Sequence, residues 1–427
     1  MATIRLNKTA RGLAPLYAST LMAGIGWSMV LPVLPVIATE FDVSLGSAAQ
    51  IVTAFGVGKL VGTPVSGIMV DRFGSRLTLV LGPAIGVVAA ATAATTPWFF
   101  IILAAAAAVG LGDSIWGIGR EISGIDIVTP RQRGRMLSGF HGLHTTGMLV
   151  GPAFGGILTE MVNFRAVFLA FAVVAALAVI LGAVSHNAMP PESGDDPSKR
   201  RDRFNLVAPL AVVRSLGSSF AALLRQIPPG FRATYAVLIF ATFSSFLFRM
   251  AIQSIMPLFA SAELGLSPSE TGFLFSISGG LVFVMILPAG FIIDKVGRKW
   301  ATVPSTGLPF IAFVLIPFTD SFLQAAALMS IVGMANGLSL GSLASSTYDI
   351  APAGTRGRLQ ATRRTIAEIG GITAPLVGGI LADAHGPGVA FLVFSPILLV
   401  GALLLAFVAK ETLVKQGSSA GRVPASA

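Results

Sequence analysis

Twelve apolar runs of about 20 residues follow one another along this chain, and a helix of that length is what crosses a hydrocarbon core of ~30 Å. They lie at approximately 13–38, 46–70, 77–96, 98–125, 136–160, 164–184, 232–260, 269–293, 300–318, 321–345, 359–382 and 388–409. Lipid offers no water to open backbone groups, so each run is predicted to be helical throughout. The first run exceeds the ~7–15 residue core of a cleaved signal peptide and reads as a retained span. The predicted fold is an all-α membrane protein with twelve transmembrane helices in two six-helix bundles.

Composition excludes the alternatives. Hydrophobic residues make up 54% of the 427 and charged ones 11%, against roughly a quarter charged in a soluble domain. That rules out a soluble enzyme or a disordered chain. The net charge of +10 is spread over short clusters between apolar runs, which fits a membrane protein and not a nucleic-acid groove. There is no cysteine, hence no disulfide or thiolate chemistry.

Between the sixth and seventh runs, a polar stretch carries Pro190, Pro191, Glu192, Asp195, Asp196 and the basic run Lys199, Arg200, Arg201 and Arg203. It is predicted to be a cytoplasmic linker, 185–231, joining bundles 1–184 and 232–427. Its second part, 204–227, mixes apolar residues with Arg214 and Arg225 and suits an amphipathic helix on the membrane surface. Arg72, Arg76, Arg131, Arg133, Arg135, Lys295, Arg298, Lys299, Arg356, Arg358, Arg363 and Arg364 fall in or beside alternate loops. The opposite loops carry Glu40, Asp42, Glu263, Asp320 and Asp383, with Arg165 the basic exception. The basic side is expected to be cytoplasmic, with both termini inside a bacterial cytoplasmic membrane.

One offset, 223 residues, superposes the halves. It carries Gly67, Asp71, Gly74 and Arg76 onto Gly290, Asp294, Gly297 and Lys299, and Asp126 onto Asp349. It also carries Arg133-Gly134-Arg135 onto Arg356-Gly357-Arg358, and Pro152, Gly155 and Gly156 onto Pro375, Gly378 and Gly379. Parallel copies of one bundle are an arrangement of secondary transporters, whose substrate site lies between the repeats near mid-membrane.

The segment holding Gly67, Asp71, Arg72, Gly74 and Arg76, echoed by Gly290, Asp294, Lys295, Gly297 and Arg298, resembles the cytoplasmic loop signature of the major facilitator superfamily. The resemblance implies that the loop basic residue pairs with an acid at the inner end of the fourth helix of each half, Asp126 and Asp349. It implies a latch that stabilises the outward-open state. The run Gly147, Gly151, Pro152, Gly155 and Gly156 resembles the fifth-helix signature of the twelve-helix drug:proton antiporters, in which small residues and a proline let the helix pivot against the other half. Exporters of that type carry an Arg four residues before a Gly in the fourth helix. Here that position is Ala106 before Gly110, so proton coupling through that Arg does not carry over.

Ionisable groups inside a bilayer cost several kcal/mol unless a partner or a wet cavity receives them. Lys59 is twelve residues from both Ser47 and Asp71, hence near mid-membrane, and Asp113 is central in the fourth helix. Arg120 lies on the same stripe as Asp113, with Glu121 beside it. Asp113 is the candidate protonation site; a static pair with Lys59 or Arg120 is the structural alternative. Arg249 and Glu368 sit at depth in the second half, and the repeat places both opposite uncharged positions. Glu368 is a candidate for carrying protons or contacting a cation, and Arg249 for balancing charge or binding an anionic group. His141 and His144 share a face, but too few ligands adjoin them for a metal, and none is expected.

The expected function is proton-coupled export of a small amphipathic or drug-like molecule by alternating access, by a monomer without cofactor. No phosphate-binding Gly-rich Lys loop is present, so ATP does not drive it. The alternative is a symporter or facilitator importing a sugar or small organic acid, with Lys59, Arg120 and Arg249 as the anion-binding set. No nucleophile arrangement of enzymatic spacing stands out.

Overall fold

The structure, a computed structural model, describes residues 2–129, 132–185, 225, 227–339, 341–352 and 356–413. Arg131 and most of the expected linker, including Lys199, Arg200, Arg201, Arg203 and Arg214, lie outside them.

Twelve long helices account for the two halves. The first six are α1 (Ala2–Ser28), α2 (Leu45–Phe73), α3 (Ser75–Thr95), α4 (Phe99–Ile127), α5 (Arg133–Met161) and α6 (Phe164–Val184). The second six are α7 (Arg232–Ala262), α8 (Pro268–Phe291), α9 (Arg298–Leu315), α10 (Phe322–Ser339), α11 (Arg356–His385) and α12 (Pro387–Phe407). The span of α1 is completed by a 3-10 turn, Leu31–Val33, and a short helix, Leu34–Glu40. A helix Ser342–Ile350 extends α10 beyond Gly341, whose φ of 79° breaks the rod.

Among the described residues, eleven segments are long and apolar enough to cross a membrane. The twelfth crossing is α5, whose 29 residues reach ~43 Å at ~1.5 Å per residue. It must cross, because the end of α4 and the start of α6 lie on opposite faces. Its Gly, His and Thr content serves packing against other helices, so it lacks the apolar excess of a lipid-facing span.

Starts and stops follow local chemistry. The Ser44 hydroxyl accepts from Ser47 N–H and starts α2. Ser267 and Glu270 form a reciprocal capping box with Pro268 in the first turn of α8. Gly74, at φ 81°, reverses the chain between α2 and α3.

Within each half the same helices meet: α1 packs on α5 and α6, α2 on α4, and α3 on α4 and α6, while α7 packs on α11 and α12, α8 on α10, and α9 on α10 and α12. The halves join through α5 on α8 and α2 on α11, two contacts that the repeat exchanges. The outer surface is apolar, with Leu287 83% and Phe407 82% exposed, as helices facing lipid require.

Candidate functional site

Close packing of α2 on α4 builds the first half of the site. A side chain on Gly58 would collide with the Ala107 carbonyl, and one on Gly110 with the Phe55 carbonyl. The two backbones touch there, and Ser114 Oγ donates to the Lys59 carbonyl at 2.9 Å. One turn of approach brings Lys59 Nζ to 2.9 Å from Asp113 Oδ2, with side chains 36% and 25% exposed. The pair is therefore partly exposed and not sealed in a core. Phe55 lies beneath the ammonium, 5.4 Å from ring centroid to Nζ, and is stacked flat on Trp27 at 3.8 Å.

Arg120 is buried one layer nearer the basic loops. Its guanidinium lies over Trp116 at 4.6 Å and donates to the Ser19 carbonyl at 3.3 Å, while Asp113 and Glu121 both act on it electrostatically. Glu121 itself is exposed. His144 is within electrostatic reach of Asp113, and its Nδ1 is buried without a hydrogen-bond partner, as are Trp27 Nε1 and Ser276 Oγ. His141 instead uses its Nδ1 on the Leu137 carbonyl, 2.9 Å away.

Across the gap, Glu368 and Arg364 of α11 act electrostatically on Lys59, which places Lys59 toward the space between the halves. Glu368 is half-buried and makes no ion pair among the described residues. Arg249 of α7 donates from Nε to Asn336 Oδ1 at 2.9 Å and from Nη2 to Ser339 Oγ at 2.6 Å, with its guanidinium 5.6 Å from the Phe246 centroid. Ser245 holds Ser339 in turn at 3.2 Å. Asn336 and Ser339 were not singled out in the sequence, because neutral polar residues in an apolar run resemble tolerated packing residues.

The halves are closed at the face of the acidic loops. Asp383, at the end of α11, accepts from Gly46 N–H at 2.6 Å and Ser44 Oγ at 2.7 Å at the start of α2. Glu160, at the end of α5, accepts from Ser269 N–H at 3.0 Å at the start of α8. Gln50 reaches the Pro375 carbonyl at 3.3 Å. Toward the basic loops contact ceases: a side chain placed on Gly67 of α2 or Gly290 of α8 would meet nothing within 4 Å. The hydrogen bonds between the halves thus concentrate at the acidic-loop end.

The loop signature differs between halves. In the second, Arg298 contacts Asp349 at 3.0 Å and Asp294 at 3.3 Å, and Lys299 Nζ donates to the Ala406 carbonyl at 2.7 Å. Glu411 accepts from the backbone N–H groups of Arg298 and Lys299 at the start of α9. Lys295 is exposed, and Gly297 carries the turn at φ 157°. In the first half Asp71, Arg72 and Asp126 are exposed and form no ion pair with one another, and Arg76 reaches the Ala183 carbonyl at 3.4 Å. Neither loop pairs with the other half among the described residues, in keeping with separation on this face.

The fifth-helix signature divides its work. Gly147, Gly151 and Gly155 lie against Leu21 and Ser28 of α1 and Met29 just after it, in their own half, where a Cβ would strike the backbone or the Ser28 hydroxyl. Cross-half contact belongs to the adjacent face, with Gly156 on Pro268 and the Pro152 carbonyl on Gly272 of α8.

The family model of the Major Facilitator Superfamily matches residues 16–233 and 238–427. Similar curated proteins include "Multidrug resistance protein 2" of Bacillus subtilis, 22% identical over 389 residues covering 87% of this chain and 88% of that protein. "Multidrug resistance protein MdtG" of Proteus mirabilis is 24% identical over 415 residues, covering 90% and 92%. Among solved structures, a POT peptide transporter in complex with sulfate shares the fold at TM-score 0.77 and 15% identity, over 93% of this chain and 94% of its own. With the family model matching both repeats, the chain belongs to the Major Facilitator Superfamily and is an integral membrane transporter.

Proposed function

We propose that this transporter exports a small amphipathic, drug-like molecule in exchange for protons, by alternating access. The Lys59–Asp113 pair carries the reading: a carboxylate at mid-membrane, neutralised by an ammonium at 2.9 Å and a quarter exposed. Asp113 is balanced either by Lys59 or by a proton. Exchange between the two changes the charge the cavity presents, and such a change couples proton and substrate binding. Multidrug resistance relatives support export of a drug-like molecule. We assign the basic loops and both termini to the cytoplasm of a bacterial cell, which makes the described state inward-open. The loop signatures then act as an inner latch made when that face closes. Bundles 1–184 and 232–427 rock as bodies about the linker 185–231 in a monomer.

The test is proton movement in inverted membrane vesicles with an acidified lumen, challenged with lipophilic cations, zwitterions and organic anions. Substrate-triggered proton efflux that Asp113→Asn lacks at equal expression is expected. Full proton exchange in that variant overturns the role of Asp113, and substrate leaving preloaded vesicles together with the protons overturns exchange in favour of symport.

A further inference from the structure

In the second half, two opposite charges stand at similar depth on adjacent helices without neutralising each other. Gly370 and Gly371 of α11 pack on Phe243, Phe246 and Met250 of α7, so Glu368 and Arg249 lie at neighbouring levels of one helix pair. Yet neither makes an ion pair, and no acidic side chain among the described residues acts electrostatically on Arg249. Arg120 differs, because Asp113 and Glu121 act on it.

Arg249 is also oriented. Two of its five N–H donors are fixed by Asn336 and Ser339, and Nη1 has no acceptor among the described residues. A guanidinium held this way presents a planar edge suited to a carboxylate or sulfonate. Phe246 lies beneath Arg249, its ring centroid 5.6 Å from the guanidinium, and near Gly371 of α11, an apolar ring beside the cation.

We propose that this pair is a binding site for a zwitterionic amphipath, its acid group on Arg249, its apolar ring on Phe246 and its amine on Glu368. The inference rests on the reading that the chain moves a small amphipathic molecule, and it names the class. An ammonium group arriving at Glu368 supplies a positive partner to a carboxylate that makes no ion pair among the described residues. A ligand bearing only an amine leaves Arg249 without a counter-charge in a low-dielectric site, which is costly, whereas Lys59 already acts on Glu368.

The test uses three probes on one ring: 6-(aminomethyl)naphthalene-2-carboxylate, its methyl ester, which keeps only the amine, and its N-acetyl derivative, which keeps only the acid. Binding to the full chain in zwitterionic-lipid nanodiscs is measured by titration calorimetry, empty discs subtracted, in two buffers of different ionisation enthalpy. The zwitterion is expected to bind about tenfold tighter than either derivative, the yield of one added charged hydrogen bond. Arg249→Ala should reduce it to the affinity of the ester, and Glu368→Gln to that of the N-acetyl form. Arg249→Lys and Asn336→Ala, which keep the positive charge, should weaken only the acid-bearing probes and serve if Arg249→Ala does not fold. Equal affinity for the three probes, or uniform weakening of all three in each variant, overturns the proposal. Zwitterion binding that holds while vesicles show no proton exchange sinks the proposed function alone. Proton exchange without zwitterion preference sinks this inference alone.

Discussion

Glu160 and Asp383 occupy equivalent positions 223 residues apart in the two repeats, and each accepts from a backbone N–H at the start of a helix in the opposite half: Glu160 from Ser269 and Asp383 from Gly46. The amides are equivalent too, since Gly46 and Ser269 are also 223 apart. The closed face is thus held by two copies of one contact, a carboxylate on a positively polarised helix start.

Neutralising both acids should loosen that face. Glu160→Gln with Asp383→Asn replaces charged hydrogen bonds by neutral ones, a loss of about 1–3 kcal/mol across the pair. The chain has no native cysteine, so Gln50→Cys just beneath the contact is a reporter, read against the same Gln50→Cys background because it gives up the bond to Pro375 in both. Labelling by a membrane-impermeant maleimide from the acidic-loop side should rise several-fold in the double variant. Unchanged labelling would assign closure to helix packing alone.

Removing one member of the Lys59–Asp113 pair should cost more than removing both. A buried pair broken on one side loses about 3–5 kcal/mol, and partial exposure lowers this to about 1–3 kcal/mol here. Lys59→Met with Asp113→Leu should unfold near the native temperature yet transport nothing. Thermal unfolding of both single variants and the double variant checks the order, and a double variant less stable than either single one would contradict it.

Glycines predict a contrast within one helix. Gly155→Val drives a side chain into the Met29 carbonyl and should cost about 1–3 kcal/mol or more through overpacking. Gly142→Ala meets nothing within 4 Å and should be neutral or gain up to about 1 kcal/mol from helix propensity. Gly272→Val strikes Pro152 across the halves, so it should spare folding and bias the molecule against closure of the acidic-loop face, read by the same Gln50→Cys labelling.

Glu411 gives the second-half loop a pH dependence. Burial pushes its carboxyl up, but backbone N–H groups of Leu413, Lys299, Arg298 and Thr412 outweigh that and hold it below the ordinary 4.5. A group depressed by folding contributes stability that is complete above the ordinary value and lost as pH falls through the lowered one. The unaltered protein should therefore lose stability relative to Glu411→Gln on acidification below about pH 4.5, and the two should converge at low pH. A difference independent of pH, read from unfolding temperatures, would rule the contact out as its source.

The twelve helices were legible because the bilayer admits few solutions: apolar length and backbone satisfaction leave only helices. The repeat was legible because glycines, prolines and charges at loop edges recur at one offset. Lys59, Asp113, Arg249 and Glu368 stood out because a charge in an apolar run is costly and conspicuous. What the sequence left open is which charges meet. Lys59 pairs with Asp113 because Gly58 and Gly110 let α2 and α4 touch, a fact of two backbones distant in sequence. Asp383 reads in sequence as one more outer-loop acid; only the approach of α11 to α2 turns it into a contact between halves. Asn336 and Ser339, neutral and unremarkable in a run, become the anchors of Arg249 once α10 lies beside α7. Local composition determined which segments enter the membrane; tertiary packing decided which polar groups find partners there, because partner choice depends on distances that no single segment contains.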